Sequence, residues 1–251
     1  MNQEFVGREK ELAHLNSFLE KTIQGKTQIC FVTGQAGSGK STLIAEFVRQ
    51  AQEANDKLVV VSGNCNAQTG ISDPYLPFRH VLSLLIGDEA RLTSNSITEV
   101  NANRLKHILK TSGRALIEIA PELVGTLLPV AGILVALARL GAREKGWLEG
   151  LEKHAKAIEK SPRDTEQAQI FLQYTALLRT ISQEYPMVII LDDLHWIDAA
   201  SNALLFHLVR EVTDCPILFA GLYRANDVAA GRNNERHPLE PVVNEIKRYR
   251  G

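Results

Sequence analysis

The amino-acid sequence predicts an α/β fold in which a parallel β-sheet is covered by helices. Short apolar runs that are typical of buried strands alternate with helically spaced apolar residues at both ends of the chain. The middle of the chain, residues 75–185, has several helical stretches and no convincing strand. We therefore expect a single domain over residues 1–251, with a large helical insertion over residues 75–185 between the second and third strands.

Each element of this fold follows from a local pattern. Residues 7–23 repeat apolar side chains at helical spacing, and the apolar run QICFVT (28–33) predicts the first strand because it ends at a glycine. The remaining strands are predicted at residues 57–63, 187–193 and 216–223. One further helix is predicted directly after the loop that follows the first strand. The other helices are predicted around residues 77–87, 97–120, 145–160 and 164–184, and at 201–212 and 239–250.

Composition and charge narrow the function classes. The chain is 45% apolar and 23% charged, and its net charge is −1, which is ordinary for a globular protein. Domains that bind nucleic acid usually carry a basic excess, so this balance predicts no direct nucleic-acid partner. The three cysteines are far apart and form no CxxC pair, which favours buried thiols over a disulfide framework or a zinc site.

The chain also lacks the signals of export and of membrane insertion. The N-terminus MNQEFVGREKE has no apolar signal core, which predicts a cytoplasmic location. Residues 123–138 carry no charge, but this run is shorter than the ~20 residues that a spanning helix needs. Pro129 and Gly132 also interrupt it. We interpret the run as a buried helix of the insertion and expect no association with a membrane.

The stretch FVTGQAGSGKSTLIAEF (31–47) contains a phosphate-binding pattern. Residues 34–41 fit GxxxxGK[ST] between a predicted strand and a predicted helix, which is the context that the pattern requires. Glycines let backbone N–H groups approach phosphate oxygens closely, and a helix N-terminus favours anions. Lys40 is predicted to reach the β- and γ-phosphates, and Ser41 to ligate Mg²⁺ with Thr42 beside it. The predicted contacts to ATP or ADP in this loop come from Gly34, Ala36, Gly37, Ser38, Gly39, Lys40, Ser41 and Thr42.

Two acids end the third predicted strand, in VIILDDLHWID (188–198). Ligands collect at this end of the strands in open α/β sheets. Asp192 is predicted to hold Mg²⁺ through water, and Asp193 is the candidate base for the attacking water. Because neighbours on a strand point to opposite sides, we expect only one acid to face the metal. Asp198 is expected to cap the next helix. His195 is either a surface or hydrogen-bonded histidine or a catalytic group.

An arginine follows the fourth predicted strand, in LFAGLYRAND (218–227). Arg224 would face the γ-phosphate if this strand lies between the strand of the phosphate loop and the strand of Asp192. The alternative is a solvated arginine in a turn.

Taken together, these motifs resemble the AAA ATPase module of the STAND class of signal-transduction ATPases. FVGREKEL (5–12) is similar to the family's hhGRExEL opening, LDDLHWID (191–198) is close to its LDDLHWAD, and LYRAND (222–227) resembles its arginine-bearing fourth strand. GISDPYLPFRHVL (70–82) and HPLEPVVNEIKR (237–248) resemble its segment after strand two and its helix after strand four.

The resemblance implies a P-loop NTPase sheet in the order 5-1-4-3-2, adenine contacts through the backbone near Val6 and Gly7, and a site arginine at Arg8. The family continues with a fifth strand, a helical lid and further domains, and neither the fifth strand nor the lid has a candidate in this sequence. The resemblance therefore implies the N-terminal nucleotide-binding part of a longer protein. Self-association or a partner protein would act through the further domains.

These observations favour a regulatory ATPase that binds ATP or ADP with Mg²⁺, hydrolyses ATP slowly and acts as a switch in signalling or transcription control. One alternative is a nucleotide-bound scaffold without hydrolysis. The pair of acids weighs against it, because binding alone needs one metal anchor. A second alternative is a DNA-associated, initiator-like ATPase, which the neutral charge disfavours. A small-molecule kinase is the least favoured, because no lid for an acceptor substrate is recognisable.

Overall fold

The structure is a computed structural model, and it describes residues 7–66, 73–87, 99–128, 167–231 and 235–250. Its described elements, in chain order, are α1 (Glu9–Ile23), β1 (Gln28–Thr33), α2 (Lys40–Ala54), β2 (Val59–Asn64), α3 (Leu76–Leu85), α4 (Glu99–Ile119), α5 (Leu123–Thr126), α6 (Gln167–Glu184), β3 (Met187–Asp192), a 3₁₀ turn (Leu194–Trp196), α7 (Ala199–Glu211), β4 (Ile217–Tyr223), α8 (Ala225–Ala230) and α9 (Leu239–Arg250).

The chain divides into two compact units. The first unit comprises Met1–Pro77 and Tyr185–Gly251, and it contains all four described strands. The second unit is Phe78–Glu184, and its described elements are helices. The expected helix at residues 145–160 lies outside the described residues, as does most of the apolar run 123–138.

The described strands form one parallel sheet in the order β1-β4-β3-β2. This confirms the predicted α/β class with a parallel sheet flanked by helices. Strand β4 is the last of the four along the chain, yet it pairs with β1 on one side and β3 on the other. Thr33 is the partner of Tyr223 and Leu191 is the partner of Gly221, so the carboxyl ends of β1, β4 and β3 lie next to one another.

Helices α1 and α2 cover one face of the sheet. Their apolar stripes, with Leu15 and Leu19 on α1 and the fully buried Phe47 on α2, pack in one cluster with strand residues that include Val188 and Leu218. Burial of side chains of this size is the main favourable term in folding. The helical spacing of apolar residues that was predicted for α1 and α2 therefore corresponds to the helix faces that pack on the sheet.

The ends of β2 and β3 differ from the sequence prediction by one or two residues. Strand β2 begins at Val59 rather than at residue 57, and β3 ends at Asp192 rather than at Asp193. Asp193 leaves the strand because its backbone is left-handed, with φ of 54°. Acidic and amide side chains tolerate this conformation better than most other residues do.

The second unit is held together by contacts among its helices. The Tyr174 hydroxyl on α6 donates a hydrogen bond of 3.0 Å to the Phe78 carbonyl, and the two rings meet edge to face at 5.4 Å. The Ser112 hydroxyl on α4 donates to the Leu85 carbonyl at 2.5 Å. In the described part of the chain, no helix combines the length and the apolar character that crossing a membrane requires.

Candidate nucleotide-binding site

The loop between β1 and α2 is shaped by its glycines. Gly37 and Gly39 have positive φ angles of 73° and 76°, which glycine adopts without strain. A Cβ on Gly34 would lie 2.6 Å from the Ser38 hydroxyl oxygen, so a side chain does not fit there. The loop therefore closes tightly and delivers the chain into the first turn of α2, where backbone N–H groups have no carbonyl partner in the helix.

Two cations hold the carbonyl groups of this loop. The Lys40 ammonium group donates to the carbonyls of Gly34 and Gln35, each at 2.9 Å. The Arg8 guanidinium donates to the Ser38 carbonyl. The loop therefore has two positive charges next to its backbone, as an anion site requires.

Other features of the loop also fit a phosphate ligand. The Ser38 hydroxyl is buried and makes no hydrogen bond with the described residues. Ser41 and Thr42 are exposed at the start of α2. Gly7 is described with a φ of 88° and donates its N–H to Glu9. Val6, the other predicted adenine contact, lies outside the described residues.

Asp192 ends β3 at the edge of the sheet where the loop lies. Its Oδ1 accepts a hydrogen bond of 2.8 Å from the Asp193 N–H. Burial raises the pKa of Asp192, and the charge of Asp193 adds to this, while the Asp193 N–H and the charge of Lys40 lower it. A carboxylate that is partly buried beside a second acid is stabilised by a nearby cation, so the donor set here fits Mg²⁺.

Asp193 is placed by the turn and not by the strand. It precedes the 3₁₀ turn, and its carbonyl accepts the Trp196 N–H at 2.8 Å. The expected alternation of two strand neighbours therefore does not apply, because Asp193 lies past the strand end in a left-handed conformation. The two acids therefore have different surroundings, because Asp192 is partly buried and the Asp193 side chain is 43% exposed.

The turn packs on the sheet at a glycine of β4. A Cβ on Gly221 would lie 2.6 Å from Leu194 Cδ1 and 2.9 Å from Phe31 Cδ1. Leu194 is fully buried in this place. Because Gly221 has no side chain, the turn that follows Asp193 can pack closely against the sheet.

His195 lies in the same turn and is buried. Its Nε2 is 3.8 Å from the Asp193 Oδ1 and 3.7 Å from the Asp227 Oδ2. Burial lowers the pKa of His195; the charges of Asp193 and Asp227 oppose this change, and those of Arg224 and Lys40 reinforce it. The imidazole is therefore mainly neutral at pH 7. The surface position that was one of the sequence interpretations is wrong.

Arg224 follows β4, which lies between β1 and β3. The condition that the sequence analysis set for a role at the γ-phosphate is therefore met by the strand order. Arg224 precedes α8, and its Nη1 lies 3.7 Å from the Asp227 Oδ2. Both side chains are partly exposed, so this pair adds little to stability.

Asp198 confirms its predicted role as a helix cap, because its Oδ1 accepts the Ser201 N–H at 2.9 Å at the start of α7. Asp227 and His237 were not among the site residues predicted from the sequence. The sequence does contain a local sign of the contact between Asp227 and Arg224, since Asp227 stands three residues after Arg224 in the first turn of a helix. His237 had none, because its ring bonds to the carbonyl of His195, which is 42 residues away.

Comparisons with known proteins identify the family of the chain. The model of the family described as AAA ATPase domain matches residues 4–219. An uncharacterized protein of Rhizobium meliloti (strain 1021) is 24% identical over 263 aligned residues, which cover 99% of this chain but 21% of that relative. No solved structure shows a significant match. Because the family match extends over most of the chain and includes the loop and both acids, the chain belongs to the AAA ATPase domain family.

Proposed function

We propose that this domain binds ATP or ADP with Mg²⁺, hydrolyses ATP slowly and works as a nucleotide-dependent switch of the STAND class in signalling or transcription control. One observation carries the proposal. The phosphate loop with Lys40, the acids Asp192 and Asp193, and Arg224 all follow the carboxyl ends of neighbouring strands in a single sheet.

The loop supplies the phosphate contacts. Lys40 holds two loop carbonyls in the structure, and phosphate oxygens would replace them as stronger, charged acceptors. The N–H groups at the start of α2 and the hydroxyl of Ser38 add donors directed at the same anion. Arg8 keeps the loop closed through the Ser38 carbonyl.

The metal would be held by Ser41 and Asp192. Bound Mg²⁺ would supply positive charge that offsets the negative charge developed during phosphoryl transfer. The Asp192 Oδ1 already accepts the Asp193 N–H, which fixes the carboxylate at the strand end. Its second oxygen would be available to the cation or to a water of its shell.

Hydrolysis would use Asp193 and Arg224. Asp193 stands at the mouth of the site with a partly exposed carboxylate, where it can orient or deprotonate the attacking water. Arg224 follows the strand between the loop and the acids, where its charge stabilises negative charge on the γ-phosphate. The same arginine would also make the switch, because Arg224 immediately precedes α8. A contact between Arg224 and ATP would therefore change the position of the start of α8.

Titration of the purified chain with ATP in the presence of Mg²⁺ tests the phosphate loop. Lys40→Ala removes the charge that meets the β- and γ-phosphates, so we expect binding to be abolished or greatly weakened while folding is retained. Lys57→Ala is the matched control, because Lys57 is an exposed lysine before β2, at the opposite end of the sheet.

Equal affinity of Lys40→Ala and the wild type would remove the assignment of the loop. The scaffold alternative would be favoured if the wild type binds ATP tightly without hydrolysing it. Substitution of Asp192 or Asp193 would then leave hydrolysis unchanged. Loss of binding in the Lys57→Ala control would indicate a general effect of lowered charge.

A further inference from the structure

His195 is buried, but its ring faces charged groups rather than the apolar core. The side chain is 1% exposed, and its Nε2 lies at nearly equal distances, 3.8 and 3.7 Å, from carboxylates of Asp193 and Asp227. These two acids belong to different elements, the turn after β3 and helix α8 after β4. A single imidazole nitrogen therefore stands between the acid end of β3 and the arginine end of β4.

The backbone of His195 is fixed from the opposite side by His237. The His237 Nδ1 accepts the Leu239 N–H at 3.1 Å, so the hydrogen of this ring is on Nε2, which donates to the His195 carbonyl at 2.9 Å. His237 is 1% exposed. Leu194, the preceding residue of the turn, is seated on Gly221. The turn is thus held at two points, and the His195 ring has a defined position.

Both distances are longer than a hydrogen bond, so the ring holds neither carboxylate in the structure. We propose that His195 is a positioning residue, whose ring N–H closes on the Asp193 carboxylate when nucleotide binds and orients it for hydrolysis. The inference rests on the proposed role of Asp193 as the group that aligns the attacking water. The ring moves no proton in this role. It limits the directions that a half-exposed carboxylate can take.

The shared position also links the acid to Arg224. Asp227 interacts with Arg224 at 3.7 Å and with the His195 ring at 3.7 Å. When Arg224 moves towards a γ-phosphate, Asp227 loses the nearby positive charge. Asp227 then attracts the His195 N–H more strongly, and this changes how the ring orients the Asp193 carboxylate. A base displaced by about 1 Å can lose on the order of 10²-fold in rate. Small shifts of one ring are therefore sufficient to regulate hydrolysis.

A pair of substitutions separates positioning from packing. Gln and Met have similar length and flexibility, but only Gln carries an N–H donor. We expect His195→Met to lower the single-turnover hydrolysis rate by about 10²-fold. ATP affinity should stay within about twofold, and His195→Gln should recover most of the rate. His207→Met, at a partly buried histidine on α7, is the matched control and should hydrolyse at the wild-type rate.

Binding of ADP with Mg²⁺ and fluoroaluminate, which mimics the transferring phosphoryl group, gives a second readout. His195→Met should weaken this complex in the wild-type background and leave it unchanged in an Asp193→Asn background, because the residue to be oriented is then altered. Equal losses in both backgrounds would show a structural role and would overturn the inference. A wild-type hydrolysis rate in His195→Met would also overturn it, provided that Asp193→Asn is slow.

Asp193→Asn with an undiminished rate would instead refute the proposed role of Asp193, and this outcome is distinct from the previous two.

If His195→Met does not fold, ¹⁵N spectra of the His195 ring in the folded wild type decide the question. The Nε2 proton should become protected in the fluoroaluminate complex and lose that protection in Asp193→Asn. Identical ring spectra in the two proteins would overturn the inference.

Discussion

At the scale of single residues, the two neighbouring acids have opposite surroundings. Asp192 is partly buried and its pKa is raised, first by that burial and then by the charge of Asp193. Asp193 lies half exposed on the turn. The protein without ligand therefore holds an unfavourable charge at Asp192, which a divalent cation would relieve.

Asp192→Asn should stabilise the ligand-free protein and weaken the binding of ATP with Mg²⁺. The folded pKa of Asp192 lies above the ordinary 3.8, so its charge costs stability as the pH rises through 3.8 and the cost is complete above the folded pKa. Asparagine keeps the acceptor for the Asp193 N–H without the charge. Thermal unfolding should show the variant more stable at pH 7, with a difference that shrinks as the pH falls towards 3.8. A variant that is less stable at pH 7 would contradict this.

Asp193→Asn should leave the binding of ATP nearly intact and remove hydrolysis. A general base contributes typically about 10²–10⁴-fold, which a single-turnover assay resolves even against a slow wild type. Asp56→Asn is the matched control, because Asp56 is an exposed acid before β2, at the opposite end of the sheet, and its hydrolysis rate should equal that of the wild type. Equal rates in Asp193→Asn and the wild type, or normal binding by Asp192→Asn instead, would reverse the roles assigned to the two acids.

At the scale of elements, the turn after β3 depends on a residue of β4. Gly221 offers no side chain, and Leu194 and Phe31 fill the space where one would be. The turn carries Asp193, so the packing of two apolar side chains on a glycine determines where the acid stands. Strand β4 therefore shapes the site through its backbone as well as through Arg224.

Gly221→Ala should destabilise the protein and slow hydrolysis together. The added Cβ would lie 2.6 Å from Leu194 Cδ1, and forcing extra volume into a packed core costs typically about 1–3 kcal/mol. Chemical denaturation measures the first effect and single-turnover hydrolysis the second. Lys57→Ala, at an exposed position before β2, is a control for general sensitivity. Unchanged stability in Gly221→Ala would show that Leu194 and Phe31 can move aside at little cost.

Elements with a strong local pattern could be predicted from the sequence, and those fixed by distant contacts could not. The bounds of β1 and α9 coincide with the predictions, since a complete apolar run and a clear helical repeat need no other information. The phosphate loop was recognisable for the same reason. The left-handed Asp193 depends on the packing of the turn against β4, and the burial of His195 depends on α8 and α9. No short-range spacing signals either feature.

At the scale of the whole molecule, the chain corresponds to a small part of its Rhizobium meliloti relative, 21% of that protein's length. The described site contains two arginines, Arg8 at the Ser38 carbonyl of the phosphate loop and Arg224 close to Asp227. An arginine supplied by a neighbouring molecule is worth about 10³–10⁵-fold in related phosphoryl transfers. We propose that a neighbouring copy of the protein supplies a further group of this kind to the site.

The purified 251-residue chain should therefore be a poor ATPase. We expect steady-state turnover below about 1 s⁻¹, the lower end of the usual enzyme range. Measurement over a range of protein concentrations separates two explanations, because activity that rises faster than concentration indicates that another copy supplies the missing group. Turnover within the usual range at all concentrations would mean that the chain closes its own site.

The position of β4 between β1 and β3 also has a consequence for biosynthesis. The chain is made from the N-terminus, so the phosphate loop and both acids leave the ribosome before residues 217–223, the strand that joins them. Until β4 inserts, β1 has no partner in the described sheet, and the turn with Asp193 has no surface on which to rest. Cellular nucleotide would therefore stabilise the nascent domain only after residues 217–223 have left the ribosome and joined the sheet.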